Sequence, residues 1–268
     1  MKDMIERFNQ LANELAIAEE GNLRFKSKFV PAHKVAQQYY CEKKVEMAYI
    51  YGEEETPEMK LGREAHTFLL EDTIVVKRVE LLRRIFSGMP VPVREMHLLG
   101  KHNKIIIVGV ADAIFFYGGY PLFLFEYKFS NRPIPFRDHH VQARLYCYLL
   151  HLMGWDTSKL KYALIISPVE CKGDKELERA PLYVIKQPKE ERLKIKLKKG
   201  CANIYINNFD MKEAIDELNW ALDFWTEKRP AKPTAKKGKC NKCEYKEKCD
   251  SSQARERPEW RMGEESET

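Results

Sequence analysis

The stretch IIIVGVADAIFFYGGYPLFLFEYKFSNRPIPFRDHHVQARLY, Ile105 to Tyr146, decides the fold. Two runs rich in β-branched and aromatic residues, Ile105 to Phe116 and Leu122 to Phe129, flank Tyr117-Gly118-Gly119-Tyr120-Pro121. That pattern predicts two paired strands joined by a turn. Asp112 lies inside the first run, and Glu126 and Lys128 lie near the end of the second. Side chains two apart on a strand share a face, so Glu126 and Lys128 point together while Tyr127 points away. Charges in such apolar surroundings are costly unless they are paired or hold a metal. One acid on a strand, followed by acid-x-lysine on the next, is a pattern for divalent-metal hydrolysis, with Asp112 and Glu126 as the principal ligands. Lys128 would orient or deprotonate the attacking water and offset charge in the transition state. An arginine there would not be equivalent, because it cannot release its proton at usable pH.

Working outward, Phe136 to Met153 carries Val141, Leu145, Tyr148, Leu149 and Leu152 on one helical stripe, with Gln142 and Tyr146 beside it at i and i+4. Tyr162–Pro168 and Ala180–Lys186 read as further strands, and Met211–Glu227 as an amphipathic helix ended by Pro230 and Pro233. Upstream, Pro90–Leu99 reads as an edge strand, since prolines are tolerated there. Its Glu95 is either a further acid of the site or an exposed charge. A helical stretch is expected from about Lys60 towards Phe86, with Gly62 and His66 on one face. Pro31 suits the first turn of an earlier helix running to Gly52, with Cys41 in its middle. Met4–Glu19 is an amphipathic helix, and the polar chain from Ser251 onward is expected to be disordered.

The 268 residues suffice for one catalytic domain with an elaboration. No apolar run approaches the roughly 20 residues needed to span a bilayer, and the charged N-terminus has no secretory apolar segment. A soluble, cytoplasmic protein with no membrane contact is expected. The net charge of +6 is only mildly basic. Its distribution says more, because Lys228 to Cys249 holds nine Lys or Arg against two Glu, as a phosphate-contacting surface would. Seven cysteines without an export signal argue for metal binding or burial over disulfides. Cys147, Cys171 and Cys201 are scattered. Cys240, Cys243 and Cys249 form a C-x2-C-x5-C triplet, one thiolate short of a closed zinc site or a four-iron cluster, and spacing does not separate the two.

Gly109-Val110-Ala111-Asp112, then Glu126-Tyr127-Lys128, then Gln142-Ala143-Arg144-Leu145-Tyr146, resembles the RecB-like branch of the PD-(D/E)XK nuclease superfamily. Within it, the chain is similar to the CRISPR-associated exonucleases that carry four cysteines. The resemblance covers roughly Val30 to Cys249. It implies an α/β fold: a restriction-endonuclease-like mixed central sheet flanked by helices, with a helical N-terminal region and a C-terminal iron-sulfur subdomain. It divides the chain into a helical region over 1–59, a nuclease core over 60–228, a cysteine-rich segment over 229–250 and a tail over 251–268. It adds His66 to the metal ligands through a G-x-x-x-H element, with an oxygen from the Tyr127 carbonyl, for Mg2+ or Mn2+. It gives Gln142 and Tyr146 the task of positioning the DNA strand or the lysine. It supplies Cys41 as the fourth cysteine beside Cys240, Cys243 and Cys249, and favours a 4Fe-4S cluster over zinc. The implied activity is 5' to 3' exonucleolytic cleavage of single-stranded DNA, or of DNA with single-stranded ends. The implied setting is CRISPR spacer acquisition beside integrase proteins, or DNA repair and recombination. A non-catalytic zinc-binding DNA-binding or assembly subunit is the competing reading, supported by the basic, cysteine-rich tail.

Overall fold

The computed structural model describes residues 2–17, 20–55, 59–60, 74–171, 173–187, 192–197 and 200–254. In chain order its elements are α1 (Lys2–Ile17), β1 (Val30–Pro31), α2 (Ala32–Tyr40), α3 (Glu42–Tyr51), α4 (Arg78–Phe86), β2 (Val91–His102), β3 (Ile105–Tyr117), β4 (Tyr120–Phe129), α5 (Arg137–Leu152), β5 (Lys161–Ser167), α6 (Lys175–Glu178), α7 (Ala180–Lys186), β6 (Arg192–Leu197), β7 (Gly200–Asn208), α8 (Met211–Trp225) and α9 (Lys237–Asn241).

The quoted stretch forms the predicted hairpin. Tyr117 pairs with Tyr120, and the two residues between them, Gly118 and Gly119, have φ of +61° and +86°. A two-residue hairpin turn with both central residues at positive φ needs glycine or a similar residue there, which is what the sequence supplies. From β4 the chain crosses through α5 to β5, which lies parallel to β4. β5 then pairs antiparallel with β7, and β7 with β6, giving a mixed sheet in the order β1-β3-β4-β5-β7-β6, with β2 also on β3. β5 is buried along almost its whole length, as a parallel strand covered on both faces must be.

Two apolar layers sandwich the sheet. On one face Val141, Leu145 and Leu149 of α5, Val35 of α2 and Leu218 and Leu222 of α8 share a core with Ile107, Ile114, Phe116, Leu124 and Leu164. On the other, Leu177 of α6 and Ala180 and Val184 of α7 pack on Phe123, Phe125, Tyr127, Ile165 and Ile204. The α/β architecture with a mixed central sheet flanked by helices is therefore as expected.

Three local expectations are corrected. Ala180–Lys186 is a helix and not a strand: Pro181 sits in its first turn, and Ala180 and Val184, four apart, are the buried pair. β6 and β7, which the sequence reading did not assign, form one end of the sheet. The helix expected from Pro31 to Gly52 is two helices, and Cys41 is the break between them, in extended conformation. The break has a long-range cause. Glu42, just beyond it, is buried and takes a fork of hydrogen bonds from Arg229 at 2.5 and 2.7 Å, one from the Lys232 amide at 2.8 Å and one from Gln38 at 2.9 Å. Its own amide donates to the Lys232 carbonyl at 3.2 Å. Of the helix expected between Lys60 and Phe86, Arg78–Phe86 is present, while Gly62 and His66 lie outside the described residues. So does most of the expected disordered tail, residues 255–268.

Candidate active site

β3 is the strand on which the site is built, and its pairing is interrupted at the acid. On one edge it pairs with β1 at Ile107 and Val108 and with β4 from Ala113 onward, and no described pair spans residues 109–112 between them. On the other edge β2 pairs at Arg94–Ala113 and Met96–Ala111, skipping Glu95, whose φ is +46°. A non-glycine residue at positive φ inside a strand marks a local departure from regular pleat. Before this point the face towards α5 belongs to Ile107, Gly109 and Ala111; after it, to Ile114 and Phe116, with Ala113 turned to the other face. The alternation shifts by one at Asp112. The Asp112 carboxylate uses the gap to accept the Tyr127 backbone N–H at 2.8 Å, which ties it to the middle of Glu126-Tyr127-Lys128.

Glu126 and Lys128 share the face expected of them. Lys128 Nζ lies 2.8 Å from Glu126 Oε1, and Glu126 is 1% exposed. Tyr127 is turned into the opposite core layer. From α5, Gln142 accepts from Lys128 Nζ at 3.0 Å through Oε1, and donates through Nε2 to the Tyr146 hydroxyl at 3.0 Å. The result is a hydrogen-bonded chain, Glu126–Lys128–Gln142–Tyr146, closed on the strand side by Asp112. Gly109 completes it: an added Cβ would stand 2.6 Å from the Tyr146 ring, so the glycine is what allows the ring to lie against the sheet.

Electrostatics follow from burial. Burial pushes the Asp112 carboxyl up to about 6, against the pull of Lys128 and the Tyr127 amide, with Glu95 adding to the rise. Burial opposes the charge on Lys128, but Glu126 and Asp112 outweigh it and hold the ammonium above the usual lysine range. The Tyr146 hydroxyl is held well above the usual range by burial and then by the same two carboxylates, so it stays protonated and able to donate. Glu95 itself is exposed, and its charge reaches Asp112.

Two neighbours were missed in the sequence. Asp138 and His139, in the first turn of α5, both feel the charge of Lys128. Burial, and then Lys128, lower the His139 imidazole to about 3, so it is neutral. Asp138 is raised by burial against the pull of Lys128, Lys239 and Lys44, which places it between the lysine of the site and the cysteine-bearing segment. The spacing Asp138–Gln142–Tyr146, i, i+4, i+8, is the signal that would have found it.

A half-buried carboxylate, Asp112, and a buried one, Glu126, are oxygen donors that, with one ammonium for balance, suit a hard divalent ion such as magnesium or manganese. His66, the expected imidazole ligand, lies outside the described residues. Among the described residues, no three His, Cys, Asp or Glu side chains converge as a metal-holding group. This includes the cysteines. Cys41, Cys240, Cys243 and Cys249 do line one small cavity of about 20 Å³, and all are free, but their sulfurs are not gathered on one centre. Burial raises the Cys243 and Cys249 thiols, and Cys41 acts on both. Among the described residues, no helix is long and apolar enough to cross a membrane.

No curated protein matches the chain. Among solved structures, one described as "Crystal structure of SSO0001" is similar over 93% of this chain and 95% of that one, at 15% identity and a TM-score of 0.47. The family described as "PD-(D/E)XK nuclease superfamily" matches residues 14–250, a span that contains every element of the site. With Asp112 on one strand, Glu126 and Lys128 together on the next, and that match over most of its length, the chain belongs to the PD-(D/E)XK nuclease superfamily, whose members cut phosphodiesters with divalent metal ions such as Mg2+ or Mn2+.

Proposed function

We propose that this nuclease is an exonuclease of single-stranded DNA or single-stranded DNA ends, working 5' to 3', with Asp112, Glu126, His66 and the Tyr127 carbonyl holding Mg2+ or Mn2+. The observation that carries the reading is the chain Glu126–Lys128–Gln142–Tyr146 beside Asp112. A bound divalent ion supplies charge neutralisation at the phosphoryl oxygens and a more acidic water. The rest falls to the protein's own groups. An ammonium has three N–H donors, and Glu126 and Gln142 fix two directions of Lys128, which leaves the third to orient the attacking water or a non-bridging phosphoryl oxygen. Tyr146 fixes the Gln142 amide with its oxygen towards the lysine.

The four cysteines are assigned to a 4Fe-4S cluster held by Cys41, Cys240, Cys243 and Cys249 in a segment over 229–250. Support comes from their common cavity, from four sulfur donors without a charged oxygen donor among the residues lining it, and from the break at Cys41 that brings it there. The resemblance to CRISPR-associated four-cysteine exonucleases supports the polarity, the cluster and a setting in spacer acquisition beside integrase proteins.

The test uses end-labelled single-stranded DNA with Mg2+ or Mn2+, comparing the wild type with Asp112→Ala and Lys128→Ala. Stepwise loss of a 5' label by the wild type alone is expected. Cleavage that survives both substitutions, or no cleavage by any protein, would overturn the reading. Anaerobically purified protein should show visible iron-sulfur absorption that Cys243→Ala removes; colourless wild type containing zinc would replace the cluster with a zinc site.

A further inference from the structure

The loop that follows Lys128 presents an apolar tip to solvent. Ile134 and Phe136 are 43% and 37% exposed, in the segment Ser130-Asn-Arg-Pro-Ile-Pro-Phe136. The tip is held in place: the Ser130 amide donates to the Ser167 carbonyl at 2.8 Å, the Arg132 amide to Ser130 Oγ at 3.1 Å, the Tyr205 hydroxyl to the Pro133 carbonyl at 2.8 Å, and the Phe136 amide to His139 Nδ1 at 3.3 Å. Pro133 and Pro135 restrict the backbone further. Exposed apolar side chains on a fixed support point to a contact partner.

The nearby rings show which partner. The Arg132 guanidinium stands over the Phe136 ring at 5.1 Å, Arg137 over Tyr39 at 4.7 Å and Lys239 over Tyr40 at 4.3 Å. Tyr39, Tyr40, Arg137 and Lys239 line one cleft of about 780 Å³. The row begins beside Lys128, since Gln142, which accepts from Lys128 Nζ at 3.0 Å, stands little more than one helical turn beyond Arg137 on α5. Trp220 also packs on Tyr39 at 4.7 Å and Lys44 stands over Tyr40 at 5.4 Å, so those two rings hold the cations in place, while the exposed Phe136 is the ring left for a base to stack on and the cations are placed to meet phosphates. The same cleft is also lined by Asp210, Glu213 and Asp216, acids that repel a phosphate chain and so favour its passage by Arg137 and Lys239.

We propose that this surface forms a track for the strand being cut, in which Phe136 stacks an unpaired base beside Lys128 while Arg132, Arg137 and Lys239 meet the phosphates on the way towards the cysteine-bearing segment. The track rests on the nuclease reading for its choice of strand, yet it is tested separately from it. In the Lys128→Ala background with chelator present, fluorescence anisotropy is read for an oligothymidylate and for an abasic strand of equal length. Phe136→Ala should weaken oligothymidylate binding about five- to 150-fold, the range of one lost base stack. Abasic-strand binding should change less than the oligothymidylate binding by that whole factor. Phe136→Trp should restore the oligothymidylate. Arg132→Ala should lower the salt dependence by about 0.7 in log–log slope. Equal loss on both strands, or no loss on either, overturns the track. Absent cleavage by wild type with base-dependent binding intact would overturn the nuclease reading and leave the track standing.

Discussion

Replacing Gly109 by alanine changes one methyl group, touches no ionisable group, and should disable the site. The new Cβ would lie 2.6 Å from Tyr146 Cε1, 3.0 Å from Cδ1 and 3.4 Å from Leu149 Cδ1. Carbon atoms rest at about 3.5–4.0 Å, so the ring must retreat by about 1 Å. It has little room, because Tyr146 is 3% exposed and Leu145, Leu149 and Ile107 belong to the same core. Overpacking of this kind costs about 1–3 kcal/mol, or about 2–12 °C in Tm for a chain of this size. The ring also carries the hydroxyl that receives Gln142, and Gln142 holds Lys128, so the displacement passes to the ammonium. A misplacement of about 1 Å can cost about 10²-fold in rate. Thermal melts and cleavage of labelled single-stranded DNA read the two effects. Adding Tyr146→Leu removes the clash and should return stability while activity stays low, since the hydroxyl is gone. The coupling should reach about 1 kcal/mol or more. A Gly109→Ala protein with wild-type Tm and activity, or one whose lost stability Tyr146→Leu fails to recover, would refute the argument that the glycine exists to seat the ring.

Asp112→Asn should melt higher than the wild type without metal, because a half-buried carboxylate raised to about 6 by desolvation is a cost that the amide lacks. It should also lose the rise in Tm that Mg2+ or Mn2+ gives the wild type, and differential scanning fluorimetry with and without metal checks both. Arg144 and Glu217 join α5 to α8 by a buried fork at 2.5 and 2.9 Å. Arg144→Met should lower stability by about 3–5 kcal/mol in urea titrations and Arg144→Met with Glu217→Leu should recover most of it; a single-substitution loss below about 1 kcal/mol would contradict the buried pair. His140 is lowered to about 4, by burial first and Arg144 second, from an ordinary 6.5. The unfolded chain therefore binds a proton that the folded one refuses, and stability falls as pH drops from about 6.5 to about 4. His140→Asn should lessen the slope of the urea midpoint across that window without abolishing it, since His33 and His139 are lowered to about 4 and about 3 as well, and an unchanged slope would remove His140 from the account.

What the sequence made legible was whatever local rules dictate. Strand alternation placed Glu126 and Lys128 on one face, glycine conformational freedom placed the turn at Gly118 and Gly119, and helical spacing put Gln142 beside Tyr146. What escaped depended on partners far along the chain. Nothing between Pro31 and Gly52 announces a break at Cys41, since its cause is Arg229 and Lys232 nearly two hundred residues on, gripping the buried Glu42. Ala180–Lys186 has strand-like composition, yet Pro181 and the i, i+4 pair Ala180 and Val184 decided for a helix against the second sheet face. The shift of alternation at Asp112 is the most consequential of these. A regular strand would offer Asp112 and Glu126 to each other across a ladder pair, with both backbones committed to hydrogen bonds. Here the ladder is skipped at that position on both edges, Glu95 takes up the irregular backbone on one side, and the freed Tyr127 amide binds the carboxylate on the other. Strain of order 1–3 kcal/mol at Glu95 is thus exchanged for a carboxylate fixed against the acid-x-lysine strand. An acid held this way is oriented by the chain alone, and the same contact that interrupts the sheet is the one that sets Asp112 against Glu126-Tyr127-Lys128.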